Sequence, residues 1–226
     1  MSTAQIISAI QRKGGACKST MLQCIAAKMG SDGARVLIID TDPQASCVEW
    51  AGEQDIKNVD TLAHLDEDTL IEIIEKVSPQ YDVILLDTAG YDSRMAGYAI
   101  AASDLILIPS GGSKSNVMGA ARTWKHAEIT TKNLKTPPQI RVAFWGVKKN
   151  SKVYDHAADA MKAANIPIVE SHVGNLVGFE AMSWNGGLPS GVAAIALNQF
   201  MGSIQKDGLL EFYNDAGEGA IHGQAA

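Results

Sequence analysis

The chain has 226 residues, a mass of 24.0 kDa and a net charge of −6, and 46% of its residues are hydrophobic. This length predicts one sizeable domain whose core needs no disulfide or structural metal, and the apolar content excludes disorder throughout. No apolar run approaches the roughly 18 residues that a membrane span requires. Three cysteines without metal-type spacing and an N-terminus without a signal-peptide pattern predict a reduced, cytoplasmic protein.

Short apolar strands alternate with longer helical patterns along the chain. Strand patterns lie at residues 6–10, 36–40, 83–87, 105–109 and 140–147, and a last one begins at 168–169. Helical patterns lie at residues 19–30, 70–77, 95–103, 117–131, 153–165 and 192–205. Strands that are apolar throughout and separated by helices indicate a parallel sheet covered on both faces. We therefore predict an α/β fold over residues 1–213, a single doubly wound domain with a mostly parallel sheet flanked by helices, and a disordered tail at 214–226.

A glycine-containing loop lies between the first strand and the first helix, and it reads Lys13-Gly14-Gly15-Ala16-Cys17-Lys18-Ser19-Thr20. A loop in this place turns successive backbone N–H groups and a helix N-terminus toward an anion. Lys18 offers a charge to nucleotide phosphates, and Ser19 offers a hydroxyl to Mg²⁺. The match to the P-loop pattern G-x-x-x-x-G-K-[ST] is incomplete, because Arg12 and Cys17 occupy its two glycine positions. A plain strand–helix turn is therefore the alternative for this motif alone.

Two acidic clusters follow apolar strands, at the edge where ligands bind in open α/β sheets. Asp40 and Asp42 follow the second strand, and Asp87 ends the third predicted strand after four apolar residues. A carboxylate in this setting is typical of a Mg²⁺ site beside a nucleotide, whereas a helix cap is the alternative for each cluster alone. The loop and both clusters, in this order on the proper strand ends, predict a nucleotide site.

With these motifs the chain resembles the ParA/MinD group of deviant-Walker P-loop ATPases, which have the SIMIBI type of fold. The resemblance is greatest to the short ParA partition proteins that lack an N-terminal DNA-binding extension. It extends from about residue 6 to residue 205 and rests on the loop at 13–20, the strand and loop at 36–44, and the segments 81–88 and 102–109.

The resemblance implies that ATP and Mg²⁺ are the cofactors. By position, the nucleotide would contact Lys13, Gly14, Gly15, Ala16, Cys17, Lys18, Ser19, Thr20 and, at the adenine, Asn150, which is alternatively a helix cap. Lys13 would reach the partner's phosphates in an ATP-bound homodimer. Asp42 would orient and polarise the attacking water, and Asp40 and Asp87 would support the metal and the switch loops. The catalytic residues would thus be Lys13, Asp42 and Asp40, and the metal would lie near Ser19, Asp42 and Asp87. Catalysis would then consist of positioning and charge neutralisation during phosphoryl transfer.

Cys17 departs from the family pattern, which has glycine at this position beside the β-phosphate. Its side chain is expected to crowd the loop and to slow binding or turnover. A thiol near a helix N-terminus and two lysines is also expected to have a lowered pKa. The alternative is that cysteine is small enough to be tolerated here.

The net charge hides an uneven distribution, because residues 113–162 hold ten Lys or Arg and three Asp or Glu. Such a segment indicates either a partner surface or a solvated face. Our candidate contacts to non-specific DNA are Arg122 and Lys125 on one predicted helix and Lys132 just beyond it. Trp124, Trp145 and Trp184 are expected to be packing residues rather than stacking platforms for bases.

The sequence thus predicts an ATP-dependent dimerising switch for DNA or plasmid partition, or for positioning of another cargo. The ATP dimer would bind non-specific DNA on the nucleoid, and a partner protein, ParB-like or a cargo adaptor, would stimulate a slow hydrolysis. One alternative is a P-loop enzyme of the dethiobiotin-synthetase type, which needs no lysine that crosses a dimer. Another is a MinD-like membrane switch, which needs a basic amphipathic C-terminal helix, whereas this C-terminal region is mostly acidic.

Overall fold

The computed structural model describes residues 4–52, 56–90, 94–148, 152–185 and 187–213, so Asn150 and the tail at 214–226 lie outside the described residues. Its centre is a sheet in which every described pairing is parallel. The strands are β1 (Gln5–Ala9), β2 (Val36–Asp40), β3 (Val59–Ala63), β4 (Val83–Asp87), β5 (Leu105–Ser110), β6 (Gln139–Val147) and β7 (Val173–Gly174). They are arranged in the order β3-β2-β4-β1-β5-β6-β7.

Helices connect the strands and cover both faces of the sheet, which confirms the predicted α/β class. They are α1 (Lys18–Ser31), α2 (Ser46–Gly52), α3 (Leu70–Val77), α4 (Arg94–Ala102), α5 (Lys114–Thr131), α6 (Lys152–Ala163), α7 (Val177–Asn185) and α8 (Gly191–Lys206). The sequence did not predict α2, β3 or α7. The last strand also lies later than predicted, since Ile168 forms only an isolated bridge to Val142.

Alternate residues of the buried strands point to opposite faces, so the chain has two hydrophobic clusters rather than one. In β4, Val83 and Leu85 join the cluster under α1, α7 and α8, whereas Ile84 and Leu86 join the cluster under α3, α4, α5 and α6. This explains why β2 and β4 are apolar at every position before their final aspartate, as expected for a parallel sheet covered on both sides.

Strand pairing brings the candidate site together at one edge of the sheet. Asp87 at the end of β4 is in register with Ala9 of β1 on one side and with Asp40 of β2 on the other. The following loops are bonded to one another. Thr41 donates from its N–H and its hydroxyl to the Asp87 carbonyl at 2.8 and 2.9 Å, and the Thr88 hydroxyl donates to the Ala9 carbonyl at 3.0 Å.

Candidate functional site

The glycine-containing loop ends in a backbone conformation that leads directly into α1. Gly15 has a φ of +71° and Cys17 has a φ of +63° with a ψ of +28°. Cys17 is the N-cap residue of α1, yet among the described residues no side chain caps this helix, and its first turn has no acidic residue. The N–H groups of this first turn are therefore open to an anionic ligand, in keeping with the predicted phosphate loop.

A cavity of about 690 Å³ lies beside the loop, within the size range of small-molecule sites. Predicted residues 14–20 and Asp42 line it. The sequence analysis did not select several further lining residues, Gln23, Gln44, Ser46, Glu49, Trp50, Gly90 and Trp184. Trp184 is 81% exposed, so its expected role in packing is wrong, whereas Trp145 is buried and Trp124 packs against the core.

The loop is anchored at its start by the buried side chain of Gln11. Its amide nitrogen donates to the Pro109 carbonyl at the end of β5, at 3.0 Å. Its amide oxygen accepts from the Arg12 N–H at 2.8 Å and from the Thr123 hydroxyl of α5 at 3.1 Å. One buried amide thus fixes the loop to both β5 and α5.

Lys13 begins the loop but does not line the large cavity. Its Nζ donates to Oδ1 of Asn116, in the first turn of α5, at 2.6 Å. Together with Asn116, Trp145 and Gly146 it lines a smaller cavity of about 140 Å³. The exposed ammonium is therefore held by its own chain and is not among the residues that line the large cavity.

Asp40 is fully buried and binds the backbone of the loop that follows it. One carboxylate oxygen accepts from the N–H of Asp42 at 3.1 Å, and the other accepts from the N–H of Cys47 at 2.8 Å. Burial nevertheless raises the pKa of Asp40. The geometry is that of a side chain that caps the start of α2 and shapes the Asp42 loop.

Asp42 is half-buried and lines the large cavity. One of its carboxylate oxygens accepts from the N–H of Gln44 at 2.9 Å. The side chain is thus positioned by its own loop, at the wall of the space that a nucleotide would occupy.

Asp87 is almost completely buried at the centre of the site. The Cys47 thiol donates to its Oδ2 at 3.3 Å, whereas its Oδ1 has no hydrogen-bond partner among the described residues. Burial raises the pKa of Asp87 to about 6, and nearby Asp40 acts in the same direction. Ser19 and Lys18 lie close enough to oppose this effect.

The donor set at Asp87 fits a magnesium ion. The ligand atoms of Asp40, Cys47 and Asp87 lie within 4.8 Å of one another, and the hydroxyl of Ser19 is nearby. Carboxylate and hydroxyl oxygens are the ligands that Mg²⁺ prefers, and a buried carboxylate oxygen without a partner is open to such an ion. Of the predicted metal residues, Ser19 and Asp87 are brought together here, while Asp42 is outside this cluster. The sequence analysis missed Cys47, whose thiol bonds Asp87 but is not a ligand type that Mg²⁺ prefers.

The predicted lowering of the pKa of the Cys17 thiol is wrong. Burial raises the pKa of its thiol, because the side chain packs against the hydrophobic cluster that contains Trp145. A Cβ at Gly146 would lie only 3.6 Å from the Cys17 sulfur, so the thiol is directed toward the glycine of β6. Packing therefore accommodates the thiol, and burial favours the protonated thiol over the thiolate.

The candidate DNA contacts lie together on the outside of α5. Arg122 and Lys125 are exposed on the helix, and Lys132 follows its last turn. Lys125 forms an ion pair with Glu128 at 2.6 Å, which offsets part of its charge.

A sequence model of the VirC1 protein family matches residues 4–207. The chain belongs to the VirC1 family. A VirC1 protein from Rhizobium rhizogenes is 28% identical over 77% of this chain and 78% of its own length. ParA from Rhizobium radiobacter is 30% identical over 46% of this chain. The matched region spans about half of that ParA, 47% of its length.

Solved structures share the fold of this VirC1-family chain at low sequence identity. An ATP complex of a McdA variant from Cyanothece has a TM-score of 0.75, with 19% identity over 92% of this chain and 98% of the other. MinD from Pyrococcus horikoshii with Mg-ADP has a TM-score of 0.72, with 18% identity over 90% and 96%. ParA of pNOB8 bound to non-specific DNA has a TM-score of 0.60, with 16% identity over 90% and 99%. The predicted resemblance to ParA/MinD-type P-loop ATPases is confirmed. No helix in the described ranges is long and apolar enough to cross a membrane.

Proposed function

We propose that this VirC1-family chain is an ATP-dependent dimerising switch that positions DNA or another cargo. The observation that carries this proposal is the cavity beside the α1 N-terminus, lined by residues 14–20 and Asp42 and adjoining buried Asp87. An uncapped helix N-terminus and a lysine suit the phosphates of a nucleotide, and a carboxylate at the cavity wall suits activation of water.

The residues divide into those that bind the nucleotide and those that promote hydrolysis. Lys18 and Thr20 would bind phosphates, and Ser19 and Asp87 would hold Mg²⁺ with Asp42 nearby. The ion would neutralise charge on the phosphates when bound. Asp42 would orient and polarise the attacking water, and Asp40 would hold the Asp42 loop in place through its backbone bonds. The adenine contact proposed for Asn150 lies outside the described residues.

Dimerisation would use Lys13. Its ammonium is exposed and does not line the nucleotide cavity of its own chain. An ammonium in this place can serve a partner's phosphates without competing with Lys18 for its own nucleotide.

The ATP dimer would then bind non-specific DNA through Arg122, Lys125 and Lys132, and a partner protein would stimulate hydrolysis and release. Exposure of Arg122 and Lys125 on α5 and of Lys132 directly after it supports this step. Helix α5 connects these cations to the nucleotide loop, because its Thr123 hydroxyl donates to the amide oxygen of Gln11 at the start of the loop. Binding to chromosomal DNA would place the protein at the nucleoid.

The decisive experiment measures nucleotide affinity and molecular mass together, by calorimetry and light scattering with ADP and with AMPPNP. We expect monomers with ADP and dimers with AMPPNP. Lys18→Ala should lose nucleotide binding, because the loop loses the charge that faces the phosphates. Lys28→Ala is the matched control, since Lys28 lies at the far end of α1 and pairs with Asp32.

Asp42→Ala separates binding from chemistry in the same assay. It should bind AMPPNP and dimerise but hydrolyse ATP poorly, because its carboxylate acts on the water. Micromolar nucleotide affinity in Lys18→Ala, or no nucleotide binding in Asp42→Ala, would contradict the assigned site.

A further inference from the structure

Asn116 is the residue to which the Lys13 ammonium donates within its own chain. The bond from Lys13 Nζ to Asn116 Oδ1 measures 2.6 Å and spans 103 residues of sequence. It joins the phosphate loop to the first turn of α5. Because the lysine is exposed, this bond can break without leaving a buried group unsatisfied.

The side chain of Asn116 lies between Gly111 and Lys13. Its backbone N–H donates to the Ser113 hydroxyl at 3.3 Å, which caps α5. Its amide nitrogen packs directly against Gly111, where an added Cβ would collide with it. With the nitrogen end against Gly111, the amide oxygen is presented to Lys13.

The contact made by Gln11 differs in kind from that of Lys13. The Gln11 amide is buried and bonds Pro109 and Thr123, so α5 and the start of the loop stay joined. Breaking those bonds would leave buried polar atoms without hydrogen-bond partners, which is unfavourable in free energy. The Lys13–Asn116 bond is therefore the contact between loop and α5 that can open while the rest stays in place.

We propose that Asn116 is a positioning residue that retains Lys13 in its own subunit and so opposes premature dimerisation. This rests on the proposed role of Lys13 across the ATP dimer. The ammonium has three N–H donors, but its bond to Asn116 keeps the lysine against its own α5. The lysine therefore has to leave Asn116 to reach a partner's phosphates, and each protomer breaks this bond before the dimer closes. An exposed hydrogen bond of this kind changes an equilibrium by about three- to tenfold. Since a symmetric dimer breaks two, the dimer dissociation constant changes by about 10- to 100-fold.

The experiment measures the dissociation constant of the AMPPNP dimer by sedimentation velocity over a range of protein concentrations. Asn116→Ala should lower that constant by about 10- to 100-fold, because Lys13 is already released. Asn116→Asp should raise it, because a carboxylate holds the ammonium more strongly. Ser115→Ala is the control, since it changes the same helical turn without touching Lys13. AMPPNP affinity of the monomer should be the same in all four proteins.

The outcomes separate this proposal from the proposed function. If Lys13→Ala dimerises normally, the cross-dimer role fails and the role of Asn116 fails with it. If Lys13→Ala is monomeric while Asn116→Ala matches the wild type within twofold, only the role of Asn116 is overturned. A weaker dimer in Asn116→Ala would also overturn it, because Asn116 would then contribute to the interface. Opposite shifts in the Ala and Asp variants are the result expected of a positioning residue.

Discussion

Cys17 and Asp87 occupy positions that destabilise the nucleotide-free protein. A side chain with a Cβ in the left-handed region costs about 1–2 kcal/mol, and Cys17 adopts a φ of +63° there. This conformation is the physical reason that a glycine suits the position. Asp87 adds the cost of a buried carboxylate with one oxygen free of protein partners in the described ranges. A bound nucleotide and cation would offset both costs, as is common where strain is located at a functional site.

The pKa of Asp87, raised to about 6 by burial, gives this cost a definite pH dependence. The carboxyl of an unfolded chain has a pKa of about 3.9. Between these values the folded chain keeps a proton that the unfolded chain has lost, so the folded state is relatively favoured at the acidic end. The contribution of Asp87 to stability is therefore greatest below about pH 4 and falls until about pH 6. At 1.36 kcal/mol per pH unit, the loss is about 3 kcal/mol.

Asp87→Asn should therefore stabilise the nucleotide-free protein at pH 7.5, by about 1–3 kcal/mol, and much less at pH 4. Urea unfolding at both values measures this difference. Asp159→Asn is the control, because Asp159 is exposed on α6 and should change little at either pH. An equal gain for Asp87→Asn at both values would show that its charge is not the source.

Helix α5 combines an end that contacts the phosphate loop with an outer face that carries cations. Lys13 and Gln11 bond its Asn116 and Thr123, while Arg122 and Lys125 face solvent one or two residues away from Thr123. The proposed nucleotide site and the proposed DNA face thus share one rigid element. A change at the nucleotide site could therefore reach the DNA face through α5 alone, without a series of other residues.

Replacing Arg122, Lys125 and Lys132 together by alanine should weaken DNA binding by the AMPPNP dimer and flatten its salt dependence. Each phosphate contact contributes about 0.9 to the slope of log affinity against log salt. Two protomers would lose a slope of about 4 to 5, with Lys125 contributing less because Glu128 pairs with it. Fluorescence anisotropy with DNA of unrelated sequences measures this slope.

The control for that experiment removes the same charge elsewhere, by alanine at Lys57, Lys76 and Lys206. All three are exposed and lie outside residues 113–162. Equal losses in both triple variants would show a general charge effect and no DNA face on α5. Wild-type protein without salt-sensitive binding would contradict the DNA step of the proposed function.

The elements that could be predicted are those with a clear burial pattern. Strands β2 and β4 are apolar at every position before their final aspartate, and α3 has the same bounds as its sequence pattern. Edge strand β3 reads Val-Asp-Thr-Leu-Ala and has no buried residue, so it lacks the continuous apolar pattern of its neighbours. Helix α2 has seven residues, and α7 exposes Val177 and Trp184, so neither shows a simple apolar stripe.

The site could be predicted where a motif determines position, and not where tertiary packing does. Residues 14–20 and Asp42 line one cavity, as strand order and motif spacing implied. Cys47 of α2 contacts Asp87 of β4 through the tertiary fold, and spacing in the sequence alone does not indicate this contact. The pKa of Cys17 was predicted from nearby charges, whereas burial against the core dominates it.

At the scale of the whole molecule, close contact between α1 and the segment before β3 holds the edge of the sheet to the helix layer. Gly30 of α1 lies so close to Lys57 that an added Cβ would collide with its carbonyl oxygen, and it would lie 2.8 Å from Val59 Cγ2. Asn58 also donates to the Gly30 carbonyl at 3.0 Å. Position 30 therefore requires glycine, because the backbone at Lys57 leaves no room for a Cβ.

Gly30→Ala should therefore destabilise the protein by about 1–3 kcal/mol, because the backbone at Lys57 has to move. Gly202→Ala is the matched control, since Gly202 lies in α8 with open space around its Cα. Alanine in a helix interior is favoured over glycine by about 0.5–1 kcal/mol, so this variant should be more stable. Thermal and urea unfolding of both variants measure the difference. The same sign for both would show that the contact is not tight.

The register of β4 between β1 and β2 decides whether the site residues come together when the chain folds. Ala9, Asp40 and Asp87 lie side by side only in the native register. A slip of one residue would displace Asp87 by about 3.3 Å along the strand and turn its side chain to the other face. A chain with that error would keep a plausible core, since β4 is apolar on both faces, but it would lose the carboxylate beneath the phosphate loop. Nucleotide would then stabilise only the chains with the native register. Its binding would therefore increase the population of correctly paired sheets relative to misaligned ones.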